Sequence, residues 1–288
     1  MSHRLNSRAP LRSVLIAACL CVGLLLALVA GPSAQAAALP TITVTANASS
    51  MTVGGTLQSG GVNVVSTVTG FKGEPSVILF LLKPGVTAAE LFAALESKQL
   101  KDPNNASKYG SIVFDAEAPP GKPSEAQTEL QPGQYAAVVL PGEEHGPSKK
   151  VHTSFTVTAA AAPVSLPAPQ ATIKTIEFGF RGPTTLHDGE LVRFENAGFL
   201  VHMDVAGQVK NEASAKKAVK ALLAGREKET EKLFIGGVGF AGPLSPGAWQ
   251  QEMITAKPGW YVQACFMETQ DGRDHTRLGM ERIIKIVK

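Results

Sequence analysis

The chain has 288 residues, 44% of them hydrophobic and 18% charged, which is enough for one large or two ordinary globular domains. Its 27 Lys and Arg exceed its 24 Asp and Glu by three, and the acid-free first 36 residues contain three arginines, Arg4, Arg8 and Arg12. The rest of the chain therefore has no net charge. This argues against nucleic-acid binding, which needs a basic surface to displace counterions from phosphates.

The first 36 residues have the organisation of an export signal. A basic segment precedes an apolar run over 14–30, the helix breakers Gly31-Pro32 follow, and the small residues Ala34-Gln35-Ala36 form a cleavage site before Ala37. We expect cleavage after Ala36, giving a periplasmic, extracellular or cell-envelope protein without a stable membrane span. An uncleaved membrane anchor is the alternative, because the apolar run approaches the thickness of a bilayer.

An internal repeat at an offset of 126 residues divides the remaining chain. Turn formers and aromatic residues recur without a gap: Gly110, Phe114, Pro120, Gly121, Pro132, Gly133 and Tyr135 return as Gly236, Phe240, Pro246, Gly247, Pro258, Gly259 and Tyr261. Between the copies, residues 159–169 read AAAAPVSLPAP, a Pro-broken stretch unable to form a helix or an inner strand. We therefore expect one domain at 37–158, a linker at 159–169 and a second domain at 170–288.

Short β-rich runs alternate with Gly and Pro turns in both halves, which is typical of β-sandwiches. The runs in the first half are Thr41–Thr45, Val62–Val68, Ser76–Leu82, Gln134–Leu140 and Ser154–Val157. Those in the second half are Ile173–Phe180, Leu191–Glu195, Val201–Val205, Trp249–Ile254, Trp260–Met267 and Arg282–Val287.

Each half also carries one helical insert. In the first half, the segment Thr87-Ala88-Ala89-Glu90 is a capping-box pattern in front of Leu91 and Leu95, which share a helix face. In the second half, residues 215–223 place their apolar side chains on one face, before Gly225 interrupts the helix. The predicted fold class is therefore all-β, with a short helix in each sandwich.

Four residues of the second half could bind a metal. Cys265 is the cysteine that remains once the other two leave with the signal, and an exported protein with one Cys has no internal disulfide. His202 lies upstream of it, and His275 and Met280 follow it across a polar loop. One thiolate, two imidazoles and one thioether form the ligand set of a type 1 copper centre, with Met267 as an alternative to Met280. The competing interpretation is that these are ordinary core and surface residues.

The second half resembles the cupredoxin family, the blue-copper sandwiches of the plastocyanin and azurin type. The stretch Asn196-Ala197-Gly198-Phe199-Leu200-Val201-His202 resembles the family segment that ends in the first ligand His, and Pro258-Gly259-Trp260-Tyr261 resembles the turn before the ligand Cys. The resemblance covers residues 173–288 and, in a ligand-free form, the first half. It implies two cupredoxin-like Greek-key β-sandwiches in tandem with one type 1 copper, bound by the imidazoles of His202 and His275, the Cys265 thiolate and the axial Met280.

The chain also departs from the family pattern. Nine residues separate Cys265 from His275, and the insert over 208–234 is unusually long. Val139 stands where the repeat offset would place a second Cys, so the first half has no thiolate for such a centre. In the family the second ligand His emerges through an apolar surface and passes the electron to a docking partner. That role would fall to His275.

These features predict an exported, monomeric blue-copper-type protein that transfers single electrons to a redox partner protein and is not an enzyme. A catalytic copper cluster needs further histidines, but His145, His152 and His187 have the sequence context of surface or turn residues, and Ala264 stands where copper oxidases carry a bridging His. The alternative is a metal-free, cupredoxin-like structural or interaction protein of the cell envelope.

Overall fold

The computed structural model describes residues 38–97, 99–100, 102–141 and 150–288, so the predicted signal, its cleavage site and His145 lie outside the described residues. The described residues belong to one compact unit. Among them, no helix is both long enough and apolar enough to cross a bilayer.

The first half consists of eight strands, one α-helix and a 3-10 turn among its described residues. In chain order these are β1 (Thr41–Ala46), β2 (Met51–Gly55), β3 (Gly60–Val68), β4 (Ser76–Leu82), α1 (Ala88–Glu96), the 3-10 turn Pro103–Lys108, β5 (Gly110–Glu117), β6 (Pro123–Leu130), β7 (Gly133–Leu140) and β8 (Val151–Val157).

The second half repeats this organisation with nine strands. They are β9 (Ala171–Ile176), β10 (Gly179–Arg181), β11 (Thr185–His187), β12 (Leu191–Asn196), β13 (His202–Val209), β14 (Phe234–Leu244), β15 (Trp249–Met253), β16 (Gly259–Ala264) and β17 (Glu281–Val287). Helices α2 (Glu212–Leu223) and α3 (Glu227–Glu231) lie between β13 and β14, and the 3-10 turn His275–Leu278 precedes β17.

Within the described residues these strands form three sheets. An eight-stranded sheet of order β10-β9-β12-β15-β6-β3-β1-β2 runs through both halves, because β6 and β15 pair antiparallel at Thr128 and Gln250. The sheet β5-β4-β7-β8 packs on it in the first half, and the sheet β11-β17-β16-β13-β14 packs on it in the second. The result is two sandwiches that share one continuous layer.

The strand order of the shared sheet is itself duplicated. From its two ends, β2-β1-β3-β6 and β10-β9-β12-β15 follow the same sequence of neighbours, and β1 pairs parallel with β3 as β9 does with β12. The predicted all-β fold with two cupredoxin-like sandwiches is confirmed. The sequence did not indicate the joint between β6 and β15.

The Pro-broken segment 159–169 forms neither helix nor strand, and all of it is described. Gly61 donates a backbone hydrogen bond to the Val164 carbonyl at 2.7 Å. The Gln251 amide donates to the Pro167 carbonyl at 3.0 Å. The segment therefore lies against β3 and β15.

Helix α1 begins where the capping box predicts. Thr87 is the N-cap of α1, and both hydrogen bonds of the capping box with Glu90 are present. Helix α2, capped by Asn211, begins at Glu212, three residues before the start predicted from the apolar pattern, and Ala215 and Leu222 are buried as expected.

Two predicted strands run well past the point where the structure ends the strand, and β2, β5, β6, β11 and β14 were not predicted. The run Ile173–Phe180 is broken into β9 and β10 by a turn at Glu177 and Phe178. The run Trp260–Met267 is a strand only as far as Ala264, because the chain then leaves the sheet to form the polar loop. Both differences place side chains beside the candidate site.

Candidate metal centre

Three parts of the second half bring the candidate ligands together. His202 is the first residue of β13, Cys265 follows the last residue of β16, and His275 opens the 3-10 turn before β17. Since β16 pairs antiparallel with both β13 and β17, the start of β13, the end of β16 and the start of β17 meet at one end of the sheet. All three side chains are buried, as is that of Met280.

Backbone hydrogen bonds fix the long loop between Cys265 and Met280. Cys265 donates its N–H to the Met280 carbonyl at 3.2 Å, and Met280 donates to the His275 carbonyl at 3.0 Å. His275 donates to the Met267 carbonyl at 2.8 Å. The loop therefore returns His275 to Cys265 despite its length. Met280 lies in the same buried cluster as Cys265, whereas Met267 is half-buried on its margin.

The three ligand atoms converge on one point. Nδ1 of His202 and Nδ1 of His275 are 3.2 Å apart, and the Cys265 Sγ lies 3.8 and 3.4 Å from them respectively. A metal bound to nitrogen at about 2.0 Å and sulfur at about 2.3 Å separates such ligand atoms by roughly 3.3–3.8 Å. Among the described residues this is the one cluster of His, Cys and acidic side chains with metal-binding spacing.

The protonation states also suit a metal. Burial lowers the pKa of His202, and burial together with the neighbouring His202 lowers the pKa of His275 to about 4, so both imidazoles are neutral at pH 7. Burial raises the pKa of the Cys265 thiol to about 12. A metal must therefore displace the thiol proton, whereas the two imidazole lone pairs are already available. The His–Cys–His set with a buried Met fits copper of the type 1 kind.

The outer edge of His202 faces Glu177, a residue that the sequence analysis did not identify. The His202 Nε2 lies 3.5 Å from Glu177 Oε1, and that carboxylate accepts hydrogen bonds from the N–H groups of Phe199 and Leu200. Burial opposes ionisation of Glu177, but these N–H groups and His202 outweigh it and lower its pKa. The only sequence signal was Gly179 within a β-run, which is typical of a turn or bulge.

Gly198 is required for this close approach. A Cβ at this position would lie 2.5 Å from Glu177 Oε1 and 2.9 Å from the His202 Nε2. Asn196 holds the loop by donating from its amide to the carbonyls of Leu200 and Leu244 and accepting from the Gly198 N–H. The Asn-x-Gly segment therefore shapes the backbone around the carboxylate.

His275 does not reach the surface, contrary to the expectation from the family. Its side chain is fully buried, and the Phe178 ring meets it edge-on with 5.1 Å between ring centroids. Glu177 and Phe178 are consecutive, so one turn covers the outer sides of both imidazoles. The same turn is the break that the sequence analysis missed in the run Ile173–Phe180.

The first half contributes to the surroundings of the site. Asn104, in the 3-10 turn after α1, accepts a hydrogen bond from the Val201 N–H at 2.8 Å, directly before His202. Val139, at the position equivalent to Cys265, is a fully buried core residue of β7.

The remaining described histidines lie elsewhere. His152 stacks on Phe92 at 3.7 Å between ring centroids. His187 is exposed at the end of β11, where its Nδ1 is 3.1 Å from the Lys288 carbonyl. Neither joins the cluster of His202, Cys265 and His275.

No family model and no curated protein matches the sequence. Among solved structures, the reduced auracyanin of Roseiflexus castenholzii aligns at 18% identity over 41% of this chain and 95% of its own, with a TM-score of 0.26. Auracyanin A of Chloroflexus aurantiacus, a "blue" copper protein, aligns at 18% identity over 40% of this chain and 98% of its own, with a TM-score of 0.24.

A longer alignment covers both halves. The McoA multicopper oxidase of Aquifex aeolicus aligns at 9% identity over 86% of this chain and 65% of its own, with a TM-score of 0.26. At these identities and TM-scores the alignments establish neither a function nor a metal. The conclusion comes instead from the sheet topology and the side chains of the chain itself. The chain is a duplicated, cupredoxin-like all-β protein, and its second copy carries a His–Cys–His–Met cluster that fits a type 1 copper site.

Proposed function

We propose that this chain is an exported protein that binds one copper ion through His202, Cys265, His275 and Met280 and transfers single electrons. The convergence of two Nδ1 atoms and one Sγ within 3.8 Å carries this proposal. When bound, copper would supply the one-electron couple. The protein's part is to keep both imidazoles neutral, to hold the thiol at their side and to exclude water from all four side chains.

We further propose that the protein is a carrier and not an oxidase. Oxidase chemistry needs a second copper cluster with several histidines, and Ala264 occupies the position where such enzymes bridge to it. The positions of His152 and His187, away from the candidate site, support this proposal. A redox partner would dock against the turn at Glu177 and Phe178, because this turn separates the imidazoles from solvent.

The proposed mature protein begins at Ala37 and comprises a domain at 37–158, the linker 159–169 and the copper domain at 170–288. The signal-like composition of residues 1–36 supports export to the periplasm or cell surface. The first half, which lacks the metal ligands, would act as a structural module that closes the copper domain. The hydrogen bond between Asn104 and Val201 supports this role. We expect a monomer.

The test is to load the purified protein with Cu(II) and to measure metal content together with thiolate-to-copper absorption. We expect one copper per chain and an intense colour that Cys265→Ala abolishes. Val139→Ala, at the equivalent position of the first half, is the matched control and should stay coloured. A colourless wild type would leave a metal-free interaction protein as the function to pursue. Colour that survives Cys265→Ala would contradict the proposed thiolate site.

A further inference from the structure

The candidate ligands are sealed from solvent, so a metal needs a path to them. His202, Cys265, His275 and Met280 expose at most 1% of their surface. The turn at Glu177 and Phe178 covers the imidazoles from outside. A buried metal site that binds its ion after folding requires an access path through the protein.

A cleft of about 870 Å³ is lined in part by Met203, Phe266 and Met267, which lie within two residues of His202 or Cys265 in the chain. Its walls are the acidic end of β5, the glycine-rich strand β14, the start of β13 and the chain that follows Cys265. The side chains relevant here are Glu74, Asp115, Glu117, Met203 and Met267. Among the described residues that line the cleft, none is Lys, Arg or His.

The three acids of the cleft lie at increasing depth. Glu74 is exposed, Glu117 is half-buried, and Asp115 is fully buried. Burial raises the pKa of Glu117, and the nearby Glu74 raises it further; Glu117 in turn disfavours ionisation of Asp115. Burial, opposed by Ser76, raises the pKa of Asp115 to about 8.

The buried Asp115 carboxyl group lacks a hydrogen bond of normal geometry among the described residues, although the Ser76 hydroxyl is near enough to lower its pKa. Among the described residues, neither of its oxygens has a hydrogen-bond partner, although its backbone N–H donates to the Gln250 side chain at 2.9 Å. A buried acid without a hydrogen-bond partner costs free energy, and the cost is larger when the acid is charged. A cation beside Asp115 would remove that cost.

Strand β14 leaves room for these carboxylates. A Cβ on Gly242 would overlap the Asp115 carboxylate, and a Cβ on Gly239 would overlap that of Glu117. The glycines of β14 therefore keep space at the positions where the two acids face it.

The inner end of the cleft reaches the candidate site through two methionines. Met203 follows His202 directly and donates its N–H to the Cys265 Sγ at 3.4 Å. Met267 is two residues beyond Cys265, and its carbonyl accepts from the His275 N–H. Thioethers are soft ligands that suit copper, whereas carboxylates accept its harder oxidised form.

We propose that this cleft is the access route of the metal site and that Asp115 and Glu117 bind a copper ion on its way to Cys265. The proposal rests on the function proposed above. The Asp115 carboxyl group releases its proton to water as the ion binds, and the Cys265 thiol releases its own when the ion reaches it. No electron is transferred in either step.

The first test follows the rate at which colour develops after Cu(II) is added to the metal-free full-length protein. Asp115→Asn and Glu117→Gln should each slow uptake at least tenfold while the final absorbance and copper content stay the same. Glu229→Gln, which removes an exposed acid on α3, is the control and should take up copper at the wild-type rate. Circular dichroism of each variant checks that it is folded.

The second test does not depend on the colour. In the triple variant Cys265→Ser, His202→Ala and His275→Ala, the nitrogen and sulfur ligands of the candidate site are gone. Added Cu(II) should then give an electron paramagnetic resonance signal from oxygen-ligated copper without nitrogen splitting, and Asp115→Asn on that background should remove it. If both single variants take up copper at the wild-type rate and no oxygen-ligated signal appears, the access route is wrong. A wild type that never turns blue but shows the signal overturns the proposed function and retains the acidic cation site.

Discussion

At the scale of single residues, Glu177 joins three parts of the candidate site. Its carboxylate lies 3.5 Å from the His202 Nε2 and accepts from the backbone N–H groups of Phe199 and Leu200, in the loop before that ligand. A carboxylate at the outer nitrogen of a metal-bound imidazole fixes the ring orientation and makes it a stronger ligand. Glu177 is therefore a positioning residue that also brings a negative charge close to the site.

Replacing this carboxylate should change the reduction potential of the loaded protein. Glu177→Gln removes a negative charge that stabilises the oxidised metal, so we expect a higher potential, with at least a tenfold shift in the ratio of reduced to oxidised protein, or about 59 mV for one electron. A spectroelectrochemical titration measures this shift.

Two further variants separate charge from packing. Glu177→Asp keeps the charge and should stay near the wild-type potential. Glu195→Gln removes a carboxylate that pairs with Lys174 instead, and it should leave the potential unchanged. Equal potentials for Glu177→Gln and wild type would contradict this role.

At the scale of elements, β5 places two acids in the interior, and this should make the stability of the metal-free protein depend on pH. Because the pKa of Asp115 is about 8 in the folded state against an ordinary value of 3.8, the folded protein keeps a proton that the unfolded chain loses between these values. The free energy of unfolding should therefore fall as pH rises through this range, by up to about 1.4 kcal/mol per pH unit.

Urea denaturation of the metal-free protein between about pH 5 and about pH 8 measures this slope. The Asp115→Asn side chain cannot titrate, so the free energy of unfolding of this variant should change less with pH. Its difference in stability from wild type should be smallest at the acidic end of the range. Parallel profiles for the two proteins would show that Asp115 ionises normally in the folded state.

The sequence predicted the regular elements better than the irregular ones. The run Ser76–Leu82 coincides with β4, and the capping residues of α1 form the predicted bonds, because alternation and capping are local signals. Strand β14 was missed because its four internal glycines and its proline give no strand pattern, although its glycines are what admit the buried acids.

The types of ligand at the candidate site were predictable from the sequence, but the residues that cover these ligands were not. The order of His202, Cys265, His275 and Met280 indicated the ligand type without a structure. The turn at Glu177 and Phe178 was not predictable, because which residues cover a ligand depends on contacts between β9, β10 and a loop twenty residues away. Asp115 was missed because burial of an acid is decided by the packing of both halves and not by its neighbours in sequence.

At the scale of the whole molecule, the shared eight-stranded sheet should make the two halves unfold together. Polar side chains of β15 join it to the first half: Gln251 donates to Gln127 of β6, and Gln250 accepts from the Asp115 N–H of β5. Calorimetry of the metal-free protein should therefore show one transition with equal calorimetric and van't Hoff enthalpies.

Gln250→Ala tests this coupling. The change leaves the buried Asp115 N–H without its partner, which costs about 1–3 kcal/mol, so the midpoint should fall while the transition stays single. Gln134→Ala, at an exposed position on β7, is the control and should unfold like wild type. Two resolved transitions in the wild type would mean that the halves are independent.

The joint between β6 and β15 also has a consequence for how the duplicated chain came about. The two strands occupy equivalent positions in the two copies and pair antiparallel, which is the arrangement that a two-fold axis generates between identical subunits. A single copy would carry the same open edge and could close it only with another chain. Gene fusion of such a dimer would convert an interface between subunits into the interior of one protein, and would then allow one copy to lose its thiolate while the other kept it.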